Sequence, residues 1–204
     1  MKRLFLARHA FAGSNHGFGT ASCTAPGDGL TTEGVEQGRR LATSLRNERV
    51  DLGVSTRLRR TQETLELALA GRDVTRLVVP ELDEIRFGRF DGGPLATYRA
   101  WAVAERPDTD APGGGESRAA AAARFAGGLR LLLARPEDTI LAVGHALVVR
   151  YVMDAANGLV PAALIEPVEH AVAHLLDASQ VARAADVLEA WSRDPSFRSG
   201  GHNL

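Results

Sequence analysis

The sequence predicts an α/β fold of three layers, α/β/α, around a mostly parallel central sheet. Three observations carry this expectation. Short apolar runs of strand length alternate with longer segments whose apolar residues recur at helical spacing. Several of the apolar runs end abruptly in polar residues, which is how strands of a buried parallel sheet deliver side chains to its carboxyl edge. No internal repeat or linker divides the 204 residues, so one domain spanning 1–204 is expected.

The elements follow in order. Residues 4–7, Leu-Phe-Leu-Ala, read as a buried strand that ends at Arg8-His9. Residues 10–29 are rich in Gly, Ser and Ala and read as a long loop, which in a compact domain is more often functional than idle. Thr31 or Thr32 can cap a helix beginning near Glu33, whose acid suits the helix dipole, and Val35, Leu41, Ala42 and Leu45 give it an apolar stripe. Residues 50–54 form a second strand, followed by Ser55-Thr56 and a helix with Leu58, Thr61, Leu65, Ala68 and Leu69 on one side. A third strand is expected at 76–79, then a mixed segment over 80–93, and a helix from Pro94 through Trp101. The Pro112-Gly-Gly-Gly run is a loop, and 118–134 is a helix with Phe125, Leu129 and Leu132 inward. Residues 139–143 are the most strand-like run and end at Gly144-His145. The helix after them stops at Asn157-Gly158. A strand over 169–176 and a helix over 181–191 complete the pattern, and the tail from about 193 to 204 reads as frayed.

Composition narrows the chemistry. Lys and Arg total 24 against 25 acids, a net charge of −1, so nothing marks a nucleic-acid surface. The apolar runs are broken by charges well short of a membrane span, and the first of them is too short for a signal peptide. No membrane partner and a cytoplasmic location are therefore expected. Cys23 is the single cysteine, which excludes an internal disulfide, a cysteine-rich zinc site and a Cys-x-x-Cys pair. Lys2 is the single lysine, so a P-loop and an interior Schiff base are both absent.

The chemistry concentrates after the strands. Arg8 and His9 follow the first, Ser55 and Arg59 the second, and His145 the late one. The fold would gather two imidazoles and two guanidiniums at one edge, beside helix N-termini. Such a pocket suits an anion, because a guanidinium fork matches phosphate oxygens.

Here the residues resemble a family. Leu6-Ala7-Arg8-His9-Ala10 is similar to the RHG signature of the histidine phosphatase superfamily, also called phosphoglycerate mutase-like. Asn15 lies six residues beyond His9, as in the extended signature. The stretch from Leu30 to Gln37 resembles LTxxGxxQ, and that from Ser55 to Thr64 resembles SxLxRAxQTA. Residues Leu82 to Gly92 resemble LxExxFGxWEG, residues 114–117 resemble GGES, and Val143 to Ala146 resemble VSHG. These ordered matches cover residues 4 to about 160.

The resemblance implies a phosphoglycerate mutase-like fold and a set of roles. His9 would be the nucleophile that forms a phosphohistidine. Arg8, Arg59 and His145 would hold the transferring phosphoryl group, with Asn15 as a further phosphate or substrate contact or, alternatively, a loop-capping side chain. Glu84 would be general acid and then base, with Asp83 and Asp91 as its rivals. Neither metal nor cofactor is required, because arginines and imidazoles supply the positive charge. The implied function is a metal-independent phosphomonoesterase acting on a small phosphorylated metabolite.

Departures from the pattern matter as well. Ala10 and Ala146 replace glycines, Phe11 stands where many members carry an acid, and Arg57 stands where an apolar residue is usual. Mutases continue the acid segment with Arg-x-Tyr, whereas this chain has Ile85-Arg86-Phe87. The Phe-Gly-x-Phe-Asp-Gly run is closer to the small phosphatases of the α-ribazole phosphatase branch, which favours hydrolysis over transfer. The competing readings are a primer-dependent mutase and a phosphate- or phosphoprotein-binding module without turnover, with a metal-dependent hydrolase as a distant fourth.

Other residues have plainer roles. Ser55 reads as a helix cap, Glu116 and Ser117 as capping and supporting groups, and Arg57 and Arg60 as solvated helix residues. His170 and His174 would share one face of a strand as edge or core histidines rather than metal ligands. Substrate specificity is expected in lid segments at about 11–29 and 88–117. The sequence leaves the oligomeric state open, a homodimer included.

Overall fold

The computed structural model describes residues 1–198. Its five strands are β1 (Arg3–Arg8), β2 (Leu52–Ser55), β3 (Thr75–Val78), β4 (Thr139–Gly144) and β5 (Ala173–Asp177). Its six α-helices are α1 (Thr32–Ser44), α2 (Arg59–Ala68), α3 (Leu95–Ala104), α4 (Arg118–Leu133), α5 (Ala146–Ala156) and α6 (Ala178–Arg193). The sheet order is β3-β2-β4-β1-β5, and every neighbouring pair is parallel except β1 with β5. The α/β class with a mostly parallel sheet is thus observed.

Alternation along the strands builds the two outer layers. Leu4 and Leu6 of β1 and Ile140 and Ala142 of β4 join the core formed with α4, α5 and α6. Phe5, Ala7, Leu141 and Val143 face the opposite side, against Leu41 and Leu45 at α1 and Leu65 and Ala68 on α2. Successive side chains on a strand point to opposite faces, so both faces of these central strands must be apolar. Gly53 of β2 lets α2 close onto the sheet, because a Cβ there would meet a Leu69 methyl at 2.7 Å. Thr31 caps α1 by accepting the Gly34 N–H at 3.1 Å.

Several boundaries differ from expectation. The last strand begins at Ala173 rather than 169, because Ala171 has φ of 53°, a left-handed conformation that interrupts an extended run. The third strand starts one residue early, at Thr75. Beyond α6 the chain is tied down as far as Arg198, whose guanidinium meets Asp154 at 2.7 Å and whose N–H donates to the Pro161 carbonyl. The rest of the tail expected to fray lies outside the described residues. The loops at 11–29 and 88–117 bond to one another: Ala21 N–H donates to Gly93 O, Gly92 N–H to Ala21 O, and Leu95 N–H to Gly19 O.

Candidate active site

The carboxyl ends of β1 and β4 are adjacent and in register, Arg8 opposite Gly144, which brings the residues after them together. The rings of His9 and His145 lie 5.4 Å apart, and both side chains are buried. Thr64 on α2 accepts the Ala10 N–H at 2.9 Å and so ties the turn carrying His9 to that helix.

Hydrogen bonds assign the tautomer of each ring. His9 Nδ1 faces the Ala10 carbonyl at 2.8 Å, which requires Nδ1–H to donate, and its Nε2 accepts from Arg60 Nε at 3.2 Å. The Nε2 lone pair is therefore directed into the site. His145 is set the other way round. Its Nε2 is 3.1 Å from Thr56 Oγ1, which lies 2.9 Å from Thr61 Oγ1, and Thr61 donates to the Leu58 carbonyl at 2.7 Å. Each hydroxyl passes its proton along, so His145 Nε2–H donates and Nδ1 accepts from Arg60 Nη2 at 3.4 Å. Burial first, and the Arg60 charge second, hold both imidazoles well below their ordinary value, so both are neutral near pH 7.

Arg60 is the organising cation, which corrects the expectation for its neighbour. Arg60 is 2% exposed. It reaches both imidazoles, Asp28 Oδ1 at 3.2 Å and the Ser22 carbonyl at 2.7 Å. Arg59, expected to bind phosphate, has a side chain 62% exposed and pairs with Glu63 one turn along α2. Consecutive helical residues point about 100° apart, so only one of the two can face the site. The signal was present in the sequence: Leu58, one place beyond the anomalous Arg57, restores the motif's apolar position and moves its arginine onto Arg60.

Arg8 keeps its expected place. Its Nη1 donates to the Val168 carbonyl at 2.8 Å, while its Nε is buried without a partner, a donor that a bound oxyanion would satisfy. Burial draws this guanidinium down to about 10, still protonated at neutral pH. Glu84 also lies in the cluster. Its Oε2 is 3.9 Å from His145 Nδ1, its Oε1 accepts the Ile85 N–H at 3.0 Å, and burial raises its carboxyl above the ordinary value.

The rivals of Glu84 are spoken for. Asp83 is held by the Arg57 N–H at 2.9 Å and the Arg57 Nε at 2.6 Å. Asp91 accepts from Cys23 N–H and Thr24 Oγ1. The backbone of the acid segment is clamped by Arg124, which donates to the Glu81, Asp83 and Glu84 carbonyls and pairs with Glu116. Glu116 and Ser117 are supporting groups, Ser117 capping α4 through the Ala120 N–H.

Asn15 is not brought into the cluster as a free side chain: its Oδ1 accepts the Ala12 N–H at 2.9 Å within a short 3-10 turn, the loop-capping alternative. Ser55 caps no helix, and Leu58 occupies the N-cap of α2. His170, expected as an edge or core histidine on one strand face with His174, lies before β5 and beside His9 instead. Its Nδ1 donates to the His9 carbonyl at 2.8 Å, and the two rings lie 5.6 Å apart. Burial, then Arg8, brings it down to about 4. Its link to β1 is an isolated parallel bridge to Arg8, just before the left-handed turn at Ala171, which local pattern does not show. Among the described residues, no group of three or more His, Cys, Asp or Glu side chains gathers as a metal site, and no helix is long and apolar enough to cross a membrane.

The chain is similar to known proteins in sequence and in fold. A profile of the histidine phosphatase superfamily (branch 1) matches residues 4–192. The adenosylcobalamin/alpha-ribazole phosphatase of Salmonella typhimurium LT2 is 38% identical over 89 residues, 44% of this chain and 43% of that protein. Its Escherichia coli K12 counterpart is 37% identical over 90 residues, with the same coverage. The chain thus spans about two fifths of the length of the curated relatives it matches. The crystal structure of the alpha-ribazole phosphatase from Shigella flexneri superposes with a TM-score of 0.69 at 27% identity, covering 86% of this chain and 95% of that one. Bacillus stearothermophilus YhfR superposes at 0.74 over 86% and 90%, and at 21% identity it speaks for the fold alone.

Proposed function

The chain belongs to the histidine phosphatase superfamily (branch 1), and from that premise we propose that it is a phosphomonoesterase working through a phosphohistidine on His9. The observation that carries this reading is the His9 ring: neutral, with Nδ1–H held by the Ala10 carbonyl and the Nε2 lone pair turned toward a cationic pocket.

A phosphomonoester dianion entering this pocket meets Arg60, the unpartnered Arg8 Nε and His145. Its charge attracts a proton to His145 Nδ1, which then donates to a phosphoryl oxygen. Arg60 exchanges its bond to His9 for another phosphoryl oxygen and releases the nucleophile. His9 Nε2 attacks phosphorus as the P–O bond of the ester breaks. Donors fixed around the equatorial oxygens stabilise the charge spread over them in the transition state. Glu84, whose carboxyl burial raises above its ordinary value, gives its proton to the departing oxygen. The Glu84 carboxylate then takes a proton from water as that water attacks phosphorus. The P–N bond breaks, and phosphate and neutral His9 are restored.

The test is hydrolysis of an aryl phosphate with and without chelator, by wild type and His9→Ala, with alkaline-quench detection of a base-stable phosphoryl label on the protein. The expected result is chelator-resistant turnover and a label, both lost in His9→Ala. Turnover that survives His9→Ala overturns the assignment of the nucleophile. A requirement for a bisphosphate primer would make the enzyme a mutase.

A further inference from the structure

Two clefts border Glu84, and they differ in how their charges are satisfied. The larger is polar, and its arginines are paired: Arg57 with Asp83, and Arg86 and Arg124 with Glu116. The other is smaller and is walled by Ile85, Leu95, Val103, Leu147, Leu164 and Ile165. Glu84 and Ala146, the neighbour of His145, also belong to its wall, so it opens beside the phosphoryl site.

This apolar cleft holds a cation without a counter-charge. Arg118, the first residue of α4, lines it and is 8% exposed. Among the described residues no carboxylate pairs with it. It makes one hydrogen bond, Nη1 to Tyr151 Oη at 3.3 Å, and lies 5.6 Å from the centre of the Tyr98 ring. Arg118 Nε and Tyr98 Oη, which share the cleft wall, are both buried with no hydrogen-bond partner. A buried guanidinium bears a desolvation penalty that an aromatic face offsets only in part, and each orphaned donor adds to it. An anion in the cleft would supply the missing counter-charge. A guanidinium in the wall of an apolar cleft suits a carboxylate.

We infer that this cleft is the leaving-group subsite and that it selects phosphomonoesters whose alcohol combines an apolar ring or chain with a carboxylate, Arg118 being the residue that reads the acid. The inference rests on the phosphatase reading and specifies its substrate class. Glu84 stands between the phosphoryl pocket and the cleft, as an acid that protonates the departing oxygen must.

The experiment separates the two readings. Binding of 4-hydroxyphenylacetate and of its neutral isostere 4-hydroxyphenylacetamide is measured by calorimetry, and kcat/KM is measured for the corresponding aryl phosphates. The acid is expected to bind, and its ester to react, at least about tenfold better than the amide in wild type, a charge-assisted margin. That ratio should fall toward one in Arg118→Met and survive in part in Arg118→Lys. Equal behaviour of acid and amide in wild type overturns the inference whether or not the variants fold. A ratio that persists in folded Arg118→Met overturns the role of Arg118. Selective binding of the acid with no turnover of either ester would retain the subsite and refute the phosphatase. Turnover of both esters without preference would do the reverse.

Discussion

Arg60 Nε donates to His9 Nε2 at 3.2 Å, so the group that holds the nucleophilic nitrogen free of a proton is the same guanidinium that would grip the phosphoryl group. Its backbone neighbour, Arg59, pairs with Glu63 at the helix surface. Arg60→Ala should therefore lower kcat/KM for an aryl phosphate by about 10²–10³, the cost of removing one preorganised donor from a transition state. Arg59→Ala should stay within roughly threefold of wild type, as an exposed i,i+4 pair contributes little. Steady-state kinetics on the two variants decides between adjacent residues, and equal losses would contradict the geometry.

The assignment of Glu84 as the acid predicts a dependence on the leaving group. An alkoxide needs its proton far more than a nitrophenolate does. Glu84→Gln should slow an alkyl phosphate by about 10²–10⁴ and the phosphorylation step with 4-nitrophenyl phosphate much less. The same variant lacks the base for the second step, so a nitrophenol burst should precede a slow steady state. Asp83→Asn loses the contact with Arg57 but no proton donor, and it should show the same leaving-group dependence as wild type. Rapid-quench kinetics with both substrates reads each outcome.

The contrast between these residues shows what local pattern can and cannot convey. The central strands were legible because burial on two faces leaves an uninterrupted apolar run, as in Leu4-Phe5-Leu6-Ala7 and residues 139–143. His9 and His145 were legible because each follows such a run, and Glu84 because its segment resembles the family's LxExxFGxWEG pattern. Arg59 was taken for Arg60 because one misplaced apolar residue, Arg57 for Leu58, shifts a motif by one, and a shift of one turns a helical side chain by about 100°. The place of His170 beside His9 was not legible, since it rests on an isolated parallel bridge to Arg8 just before the left-handed turn at Ala171. Asn15 has the right spacing, yet the loop uses its side chain to hold itself together.

Holding imidazoles neutral has a consequence for stability. His9, His145 and His170 all lie below their ordinary value in the folded protein. Above about pH 6.5 neither state protonates them. Below it the unfolded chain binds protons that the folded one refuses, so stability is lost as the pH falls from about 6.5 toward the folded values. Each of the two buried rings contributes up to about 1.4 kcal/mol per pH unit. His170 contributes less, being partly exposed and screened. Glu84 acts in the opposite sense, because a raised carboxyl pKa favours the folded state at low pH, but it is one proton against three. The melting temperature should fall between pH 7 and pH 5, and saturating inorganic phosphate should reduce the fall by pulling a proton onto His145. Calorimetry across that range, with and without phosphate, measures both, and a flat profile without phosphate would contradict the assigned protonation states.

Gly34 couples the loop after His9 to the helical layer. It is the third residue of α1, and a Cβ built there would stand 2.0 Å from the Phe11 carbonyl oxygen. The same oxygen accepts the Thr31 N–H at 3.1 Å and the Thr31 hydroxyl at 3.3 Å, and the Phe11 N–H donates to Gln37. Neither the helix nor the loop can withdraw without breaking the bonds that fix residues 10–12 behind His9. Gly34→Ala should therefore cost about 1–3 kcal/mol by overpacking, or roughly 2–4 °C of melting temperature per kcal/mol for a chain of this size. Because the displaced segment carries the Ala10 carbonyl that sets the His9 tautomer, kcat should fall in the protein that remains folded. A solvent-facing helix glycine would gain stability from the same change. A rise in melting temperature with unchanged kcat would therefore show that α1 does not press on this loop.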